Sequence, residues 1–591
     1  MKRIFCLILA LVLVAALFTG CGKTDAPTPT PTPDSGAQQT PDAAGEVTDT
    51  PDPTPEPAAY LFAPGNYETD EKGWPTNYYT YDSPFCLVEE TLSYWTVNWT
   101  PQILPAEGMD GIDFCIAEQE ATGVDIEYIV VPSETRTENF SVLLAADDLP
   151  DLMNQADMYY PGTEIDAIEE GYFANIYDYK EYCPNYLYHI ISNKDTDKNL
   201  YDQCFLDNTH ISKFMGMSNM GGMDATVIAV RADWLDKLGI NKDDLDTIEE
   251  YTAVAELMRT ELGATYPLSL ISDCLDSGSY LGCYDTYTTL SSTYVNAFPS
   301  PHVENGEVVF YFSDDNSKKL VEHLSQWVAD GLITPNWMNN TDGETNVANG
   351  IVGICTMPVS TLSYYEAIST DPDCRWEVLK KPSLFEGQVH HLGISKGLCN
   401  GFGRTQISAS CENIPLAVTW CDWRYSPEGS ELSAWGVEGR LWEYDANGRK
   451  VATEWAYNNP DGQIFGFLQC TYSSNFLAEH GLGDATSAYC YPGGEKALEY
   501  FDYWYQVEYD GAYEWPKGIA LTEDQSAAFM AYVDIDTYIC ENILAFVSGV
   551  KPISEWDAYV AQLSAMGIEE AEAIYQEAYD AYQLSLADRE F

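Results

Sequence analysis

From residue 91 onward the chain alternates between two rhythms of hydrophobic positions. "TLSYWTVNW", Thr91 to Trp99, is a β-branched and aromatic run that predicts a strand. "DGIDFCIAEQEATG" then carries the spacing of a helix closed by Gly123, and in "VDIEYIVV" the residues Val124, Ile126, Tyr128 and Val130 alternate as a half-buried strand requires. A second helix runs through Phe140, Val142, Leu143 and Leu144 until Pro150 breaks it, and Leu152 and Met153 open another strand. Strands alternating with helices predict βαβ units and a mostly parallel sheet, which binds ligands at the carboxyl ends of its strands.

The pattern continues through "VIAVRADWLDKLGINKDDLDTIEEYTAVAELMRTEL" as an apolar strand, a short helix ending at Gly239, and a longer helix. Thr247 and Glu250 have the capping-box spacing, and Ile248, Tyr251, Ala255 and Met258 fall on one face, which predicts core. Two further amphipathic helices are expected at the C-terminus, through Trp556, Tyr559, Val560 and Leu563 and then Ile574, Tyr575, Ala578, Tyr579 and Tyr582, with "MGI" as the stop between them. No repeat of about 20 to 50 residues is present, which argues against a solenoid or propeller.

The first residues follow a different logic. Lys2 and Arg3 precede an apolar stretch, Ile4 to Phe18, that is too short to span a bilayer and reads as an export signal over residues 1–20. Its ending, Phe18-Thr19-Gly20-Cys21, resembles the bacterial lipobox, with Phe18 where leucine is usual, and the resemblance implies lipidation of Cys21. An ordinary secretory signal with a chance cysteine is the alternative. Residues 21–58 are rich in Pro and Thr, and beyond Cys21 they carry no large aliphatic or aromatic side chain, so they predict a solvated linker. The remainder, 59–591, is long enough for two substantial lobes.

Charge narrows the function classes. With 93 acidic against 28 basic residues the net charge is -65, which repels phosphate backbones and disfavours nucleic acid as a partner. Hydrophobic residues at 45% and aromatics at 13% exclude a disordered acidic chain. Sixteen cysteines form no C-x-x-C pair, so zinc-ribbon and thioredoxin readings fail.

Several segments together resemble one family, the extracellular solute-binding lipoproteins of bacterial ABC importers, in particular the large carbohydrate-type members. They are "LLAADDLPDLM", "DTDKNLY", "VRADWLDKLGI" with "LDTIEEYTAVAELMRT", "QISASCENIPLAVTWCDWRYSPEGSELSAWGVEGRLWEYDANGRKV" and "EWDAYVAQLSAMGIEEAEAIYQEAYDAY", in order from about residue 85 to 585. The chain departs from the family at Asp244 or its neighbours, where proline is common, and at Lys198 or Asn199, where glycine is common. The resemblance implies an α/β, two-lobed periplasmic-binding-protein-like fold with hinge strands and a central ligand cleft, closing on its guest.

A sugar presents hydroxyls at its edge and C–H patches on its ring faces, so its site needs aromatic rings beside carboxylates and amides. Trp95 and Trp99 near the end of the first strand, Asp151 after Pro150, Tyr159 and Tyr160 in the loop beyond the third strand, Trp337 in "TPNWMNN", and Trp435 and Trp442 flanking "GVEG" are the candidates. Asp151 equally suits the capping of a turn, Trp420 and Trp423 suit packing, and Arg231 with Asp233 suits a local ion pair at a helix start. "GISKG" around Ser395 matches G-x-S-x-G, but the residues after it are poor helix, against a nucleophile elbow. "DTDKNLYD" opens like a calcium loop yet has Leu200 where glycine and Leu206 where glutamate are needed. His390 and His391 would point to opposite faces of a strand, and no catalytic residue, cofactor or metal is expected.

The expectation is a monomeric receptor on the outer face of the cell membrane, anchored at Cys21, that captures a carbohydrate or other polar solute and passes it to the permease subunits of an ABC transporter. The alternatives are a surface glycoside hydrolase, which needs a carboxyl pair about 5 to 9 Å apart, and a sensor for a membrane kinase.

Overall fold

The computed structural model describes residues 58–587 apart from 99, 219–225, 271–281, 287–300, 311, 337–344, 393–397, 460–464, 474–478, 485, 488–489 and 491–493. Contacts gather Ala58–Phe591 into one unit. Within it two sheets each carry their own core.

The first sheet has six strands in the order Gly481–Gly483, Lys213–Ser218, Cys399–Ile407, Leu152–Asn154, Thr91–Thr96, Asp125–Val130. All run parallel except the long strand Cys399–Ile407, which is antiparallel to both neighbours. Alternation along Thr91–Thr96 sends Tyr94 into a core with Leu152, Phe214, Trp420 and Trp423, and its neighbour Trp95 to the other face with Phe140, Met153 and Phe173. The helix Asp113–Thr122 ends where expected, because Gly123 takes up φ 73° and an added Cβ would lie 2.1 Å from the carbonyl oxygen of Cys86. In Asp125–Val130 the expected alternation fades at its end, where Ile129 and Val130 are exposed on an edge strand that has a neighbour on one side only. The next helix, Arg136–Ala146, stops at Asp147 in a left-handed conformation rather than running on to Pro150.

The second sheet has the order Trp376–Val378, Thr226–Arg231, Ile354–Pro358, Leu268–Leu270, and here too one strand, Thr226–Arg231, is antiparallel to both neighbours while the other three run the same way, so both sheets are mostly parallel as expected. Against it packs the helix Ile248–Leu262. The capping box of Thr247 and Glu250 starts that helix, and Ile248, Tyr251, Ala255 and Met258 are all buried. Full burial of side chains the size of Ile or Met contributes about 1.5–3 kcal/mol each. The C-terminal helices Trp556–Met566 and Ile568–Ala587, divided by Gly567, complete this core.

Between the two cores the chain passes three times. It leaves the first sheet at Ser218 and joins the second at Thr226; Leu392 belongs to the second core and Leu398 to the first; and after Gly483 the helix Gly494–Trp504 buries Tyr500, Phe501 and Trp504 in the second core. The first two passages flank adjacent strands, one leaving the carboxyl end of Lys213–Ser218 and the other entering Cys399–Ile407 at that same end, where Ser218 N donates to Leu398 O at 2.7 Å. Before the third, Cys490 still packs with Trp435 and Trp442, and its carbonyl accepts from Ala452 N at 3.0 Å. One further tie between the cores is a buried hydrogen bond of 2.8 Å from Tyr582 Oη, on the last helix, to Asp202 Oδ2 on the helix Lys198–Cys204. Asp197, in the calcium-like stretch, caps that helix through Leu200 N and accepts from Leu398 N at 2.6 Å; among the described residues no cluster of His, Cys, Asp and Glu could hold a metal ion.

Candidate functional site

The segments that leave the carboxyl ends of the first sheet lie on the same side of it as the passage from Ser218 towards the second core. The best defined is the turn after Leu152–Asn154. Gln155 has φ 57°, a left-handed conformation that a non-glycine residue adopts at a cost of about 1–3 kcal/mol. What holds it there is a set of long-range bonds. Gln155 N donates to Arg404 O at 3.0 Å, Ala156 N to Gln406 Oε1 at 2.8 Å, and the Arg136 guanidinium to Asn154 O, to Asn154 Oδ1 at 2.9 Å and to Gln155 Oε1 at 3.0 Å.

The turn presents Asp157, exposed Met158 and half-buried Tyr159. Arg404 Nε lies 2.7 Å from Asp157 Oδ2, Gln406 Nε2 donates to Oδ1 at 2.9 Å, and Lys213 Nζ, itself paired with Glu164, lies 3.6 Å from Oδ2. Burial works to raise the Asp157 carboxyl, but Lys213 and Arg404 outweigh it and hold the group below the usual carboxylate range. A carboxylate, a guanidinium and an amide thus meet at the turn that also carries the Tyr159 ring, the kinds of polar group and apolar face that a sugar needs in complement. Just past the first strand, half-buried Asn98 accepts from Thr100 N at 2.8 Å.

The same end of the sheet holds a second group. Thr96 Oγ1 donates to Glu479 Oε1 at 3.3 Å, and Glu479 shares the buried Arg424 guanidinium with Glu118 through bonds of 2.7 Å and of 2.6 and 2.9 Å. His480 Nδ1 and Tyr94 Oη both meet Thr405 Oγ1 at 2.9 Å; burial and Arg424 push this histidine well below its ordinary range, so it is neutral.

No family model matches the chain. The fructooligosaccharide ABC transporter substrate-binding protein FusA of Streptococcus pneumoniae is 22% identical over 495 residues, 79% of this chain and 86% of its own length. Among solved structures, an extracellular solute-binding protein of Bifidobacterium longum subsp. infantis superposes with a TM-score of 0.63 at 15% identity, covering 84% of this chain and 98% of that one. FusA of S. pneumoniae in complex with kestose gives 0.59 at 19% identity, covering 84% and 100%. The fold is that of the extracellular solute-binding proteins.

Within this solute-binding fold the expected site residues fall into separate groups. Trp95 and Tyr159 come together, with ring centroids 5.8 Å apart and near-perpendicular planes, but Trp95 is fully buried and donates through Nε1 to Asn139 at 2.6 Å. Tyr160 turns away to Tyr172 and Phe173, and its hydroxyl donates to Glu170 at 2.7 Å. Asp151 lies at the amino end of its strand, where its carboxylate accepts from the Ser93 amide and hydroxyl at 2.8 and 2.7 Å. Trp435 and Trp442 pair at 5.7 Å in a separate buried cluster with Phe114 and Leu441, bonded to Asp484 and to Gly436 O. The turn between them needs Gly436, at φ 71°, because a Cβ there would meet Tyr472 O at 2.4 Å. Trp420 and Trp423 are fully buried packing residues, and buried Arg231 is ion-paired with buried Asp233 and with part-exposed Asp371. Trp99, Trp337 and Ser395 lie outside the described residues. Sequence reading passed over Arg136, Asp157 and Arg404; the one signal available was the rarity of cations in this chain, which makes each one's position informative.

Proposed function

We propose that this protein is the substrate-binding protein of a bacterial ABC importer, that it captures a carbohydrate, an oligosaccharide, between its lobes, and that it passes the ligand uncut to the permease. The observation that carries the reading is a fold of two α/β cores, each built on its own sheet, in a chain that is similar along most of its length to a fructooligosaccharide receptor. A hinge between the two lets ligand binding drive closure, and closure gives a permease something to recognise. Tyr159 with Asp157 and Arg404 is the part of the site we favour, and Trp95, Trp99, Tyr160, Trp337, Trp435 and Trp442 remain candidates, with Asp151 in a supporting role.

The mature chain begins at Cys21 in this reading, lipidated on the outer face of the membrane, and residues 21–58 act as a tether that keeps a monomeric receptor at high effective concentration near its transporter. Among the described residues no helix is long and apolar enough to cross a membrane, so the lipid is the anchor proposed.

The test is a thermal-shift screen of the purified protein against kestose, longer fructans, milk-type oligosaccharides and N-glycans, followed by chromatography of the recovered ligand. A ligand that binds only the folded state raises the melting temperature, by an amount that grows with concentration. The expected result is a shift with one glycan class and an unchanged ligand. No shift with any glycan, or recovery of cleaved products, overturns the reading.

A further inference from the structure

Three arginines of this chain are among its largest fully buried side chains: Arg136, Arg231 and Arg424. Two of them are neutralised twice over, Arg231 by Asp233 and Asp371, Arg424 by Glu118 and Glu479. Arg136, 1% exposed, has no carboxylate partner among the described residues, in a chain where acidic residues outnumber basic ones 93 to 28. It is also the first residue of the helix Arg136–Ala146, where the helix dipole disfavours a cation. A buried charge without a counter-charge costs stability, so stability does not explain it.

Its contacts do. Nη1 and Nη2 are spent on Asn154 and Gln155, the residues that turn the chain out of the third strand, while Nε has no partner among the described residues. The guanidinium carbon lies 4.7 Å from the Trp95 ring centroid and 5.1 Å from that of Tyr159. Trp95 is itself locked by Asn139, three residues along the same helix. Every strong contact of Arg136 therefore ends on the turn that carries Asp157 and Tyr159, or on the ring beneath it.

We infer that Arg136 is a positioning residue for ligand: it pins the Asn154–Gln155 turn and stacks on Tyr159, so that ring and the Asp157 carboxylate are set in place before a sugar arrives. Preorganisation of this kind lowers the ordering cost of binding. A planar guanidinium suits the task because it stacks and donates in two directions at once, which a lysine does not. The inference rests on the proposal that this turn meets the ligand.

The experiment compares wild type with Arg136→Met, Arg136→Lys, Tyr159→Ala and the double variant Arg136→Met/Tyr159→Ala. Two measurements are made: affinity for kestose, or for whichever screened oligosaccharide gives the largest melting shift, and hydrogen exchange of the ligand-free protein. Arg136→Met is expected to bind about tenfold more weakly, Arg136→Lys to recover only part of the loss, and the double variant to be little worse than Tyr159→Ala, since contacting residues do not act additively. Faster exchange confined to residues 154–160 should accompany this. Wild-type affinity in a folded Arg136→Met, full additivity in the double variant, or unaltered exchange over 154–160 overturns the inference, as does failure of both Arg136 variants to fold. If wild type binds no glycan, the functional proposal falls, and the exchange result alone then decides whether Arg136 pins the turn.

Discussion

Tyr94 and Trp95 are consecutive residues of one strand, and each leads to a buried arginine on its own face of the first sheet. On the Tyr94 side, Arg424 stacks on Trp420 at 4.8 Å and is clamped by Glu118 and Glu479, so charge is balanced within hydrogen-bond distance. On the Trp95 side, Arg136 stacks at 4.7 Å and bonds only amide oxygens. The ring contacts are nearly alike and the electrostatics are opposite. The first arrangement ties together segments distant in sequence, Glu118 and Arg424 being 306 residues apart, and belongs to the fold. The second holds a local turn and is poorly explained by stability, which is how groups at binding sites differ from groups in cores.

The largest effect expected from breaking this contrast is at Arg424. Arg424→Leu strands two buried carboxylates and should cost about 3–5 kcal/mol in urea denaturation, while Arg424→Leu with Glu118→Gln and Glu479→Gln should regain a good part of that loss. Asp157→Asn comes next, with an expected cost of about 1–3 kcal/mol. The sign with pH follows from its depressed folded-state pKa: the carboxylate stabilises the protein above its unfolded value of about 3.8, and the contribution disappears as pH falls through the lower folded value. Acid titration of wild type and Asp157→Asn should therefore converge at low pH. Arg136→Met, by contrast with Arg424→Leu, should change stability by about 1 kcal/mol or less, since lost hydrogen bonds are offset by removal of an uncompensated charge. A change of similar size, about 0.5–1 kcal/mol, is expected for Tyr582→Phe, measured as a lowered denaturation midpoint.

Much of both cores was legible in sequence because the signals are local. The run "TLSYWT", the stop at Gly123, the capping box at Thr247 and the one-sided helix behind it each depend on residues within a few positions. The strand Cys399–Ile407 carries no such signal. "CNGFGRTQI" has two glycines and an arginine and no clear alternation, and it is a strand because neighbours pair with it on both sides. Gly403 is needed there since an added Cβ would lie 1.8 Å from Glu479 O, a contact visible only once the chain is folded. The site suffers the same limit, because Arg404 meets Asp157 across 247 residues and Arg136 resembles any polar residue at the start of a helix. Aromatic content pointed towards sugar chemistry, and it could not separate Trp95, sealed in a core, from Tyr159 at the edge of one.

The bond from Ser218 N to Leu398 O has a mechanical corollary. Lys213–Ser218 and Cys399–Ile407 meet there side by side, each at the point where the chain passes between the first core and the second. A load carried by one strand is shared with its neighbour through that bond, so a break at Ser218 loosens both.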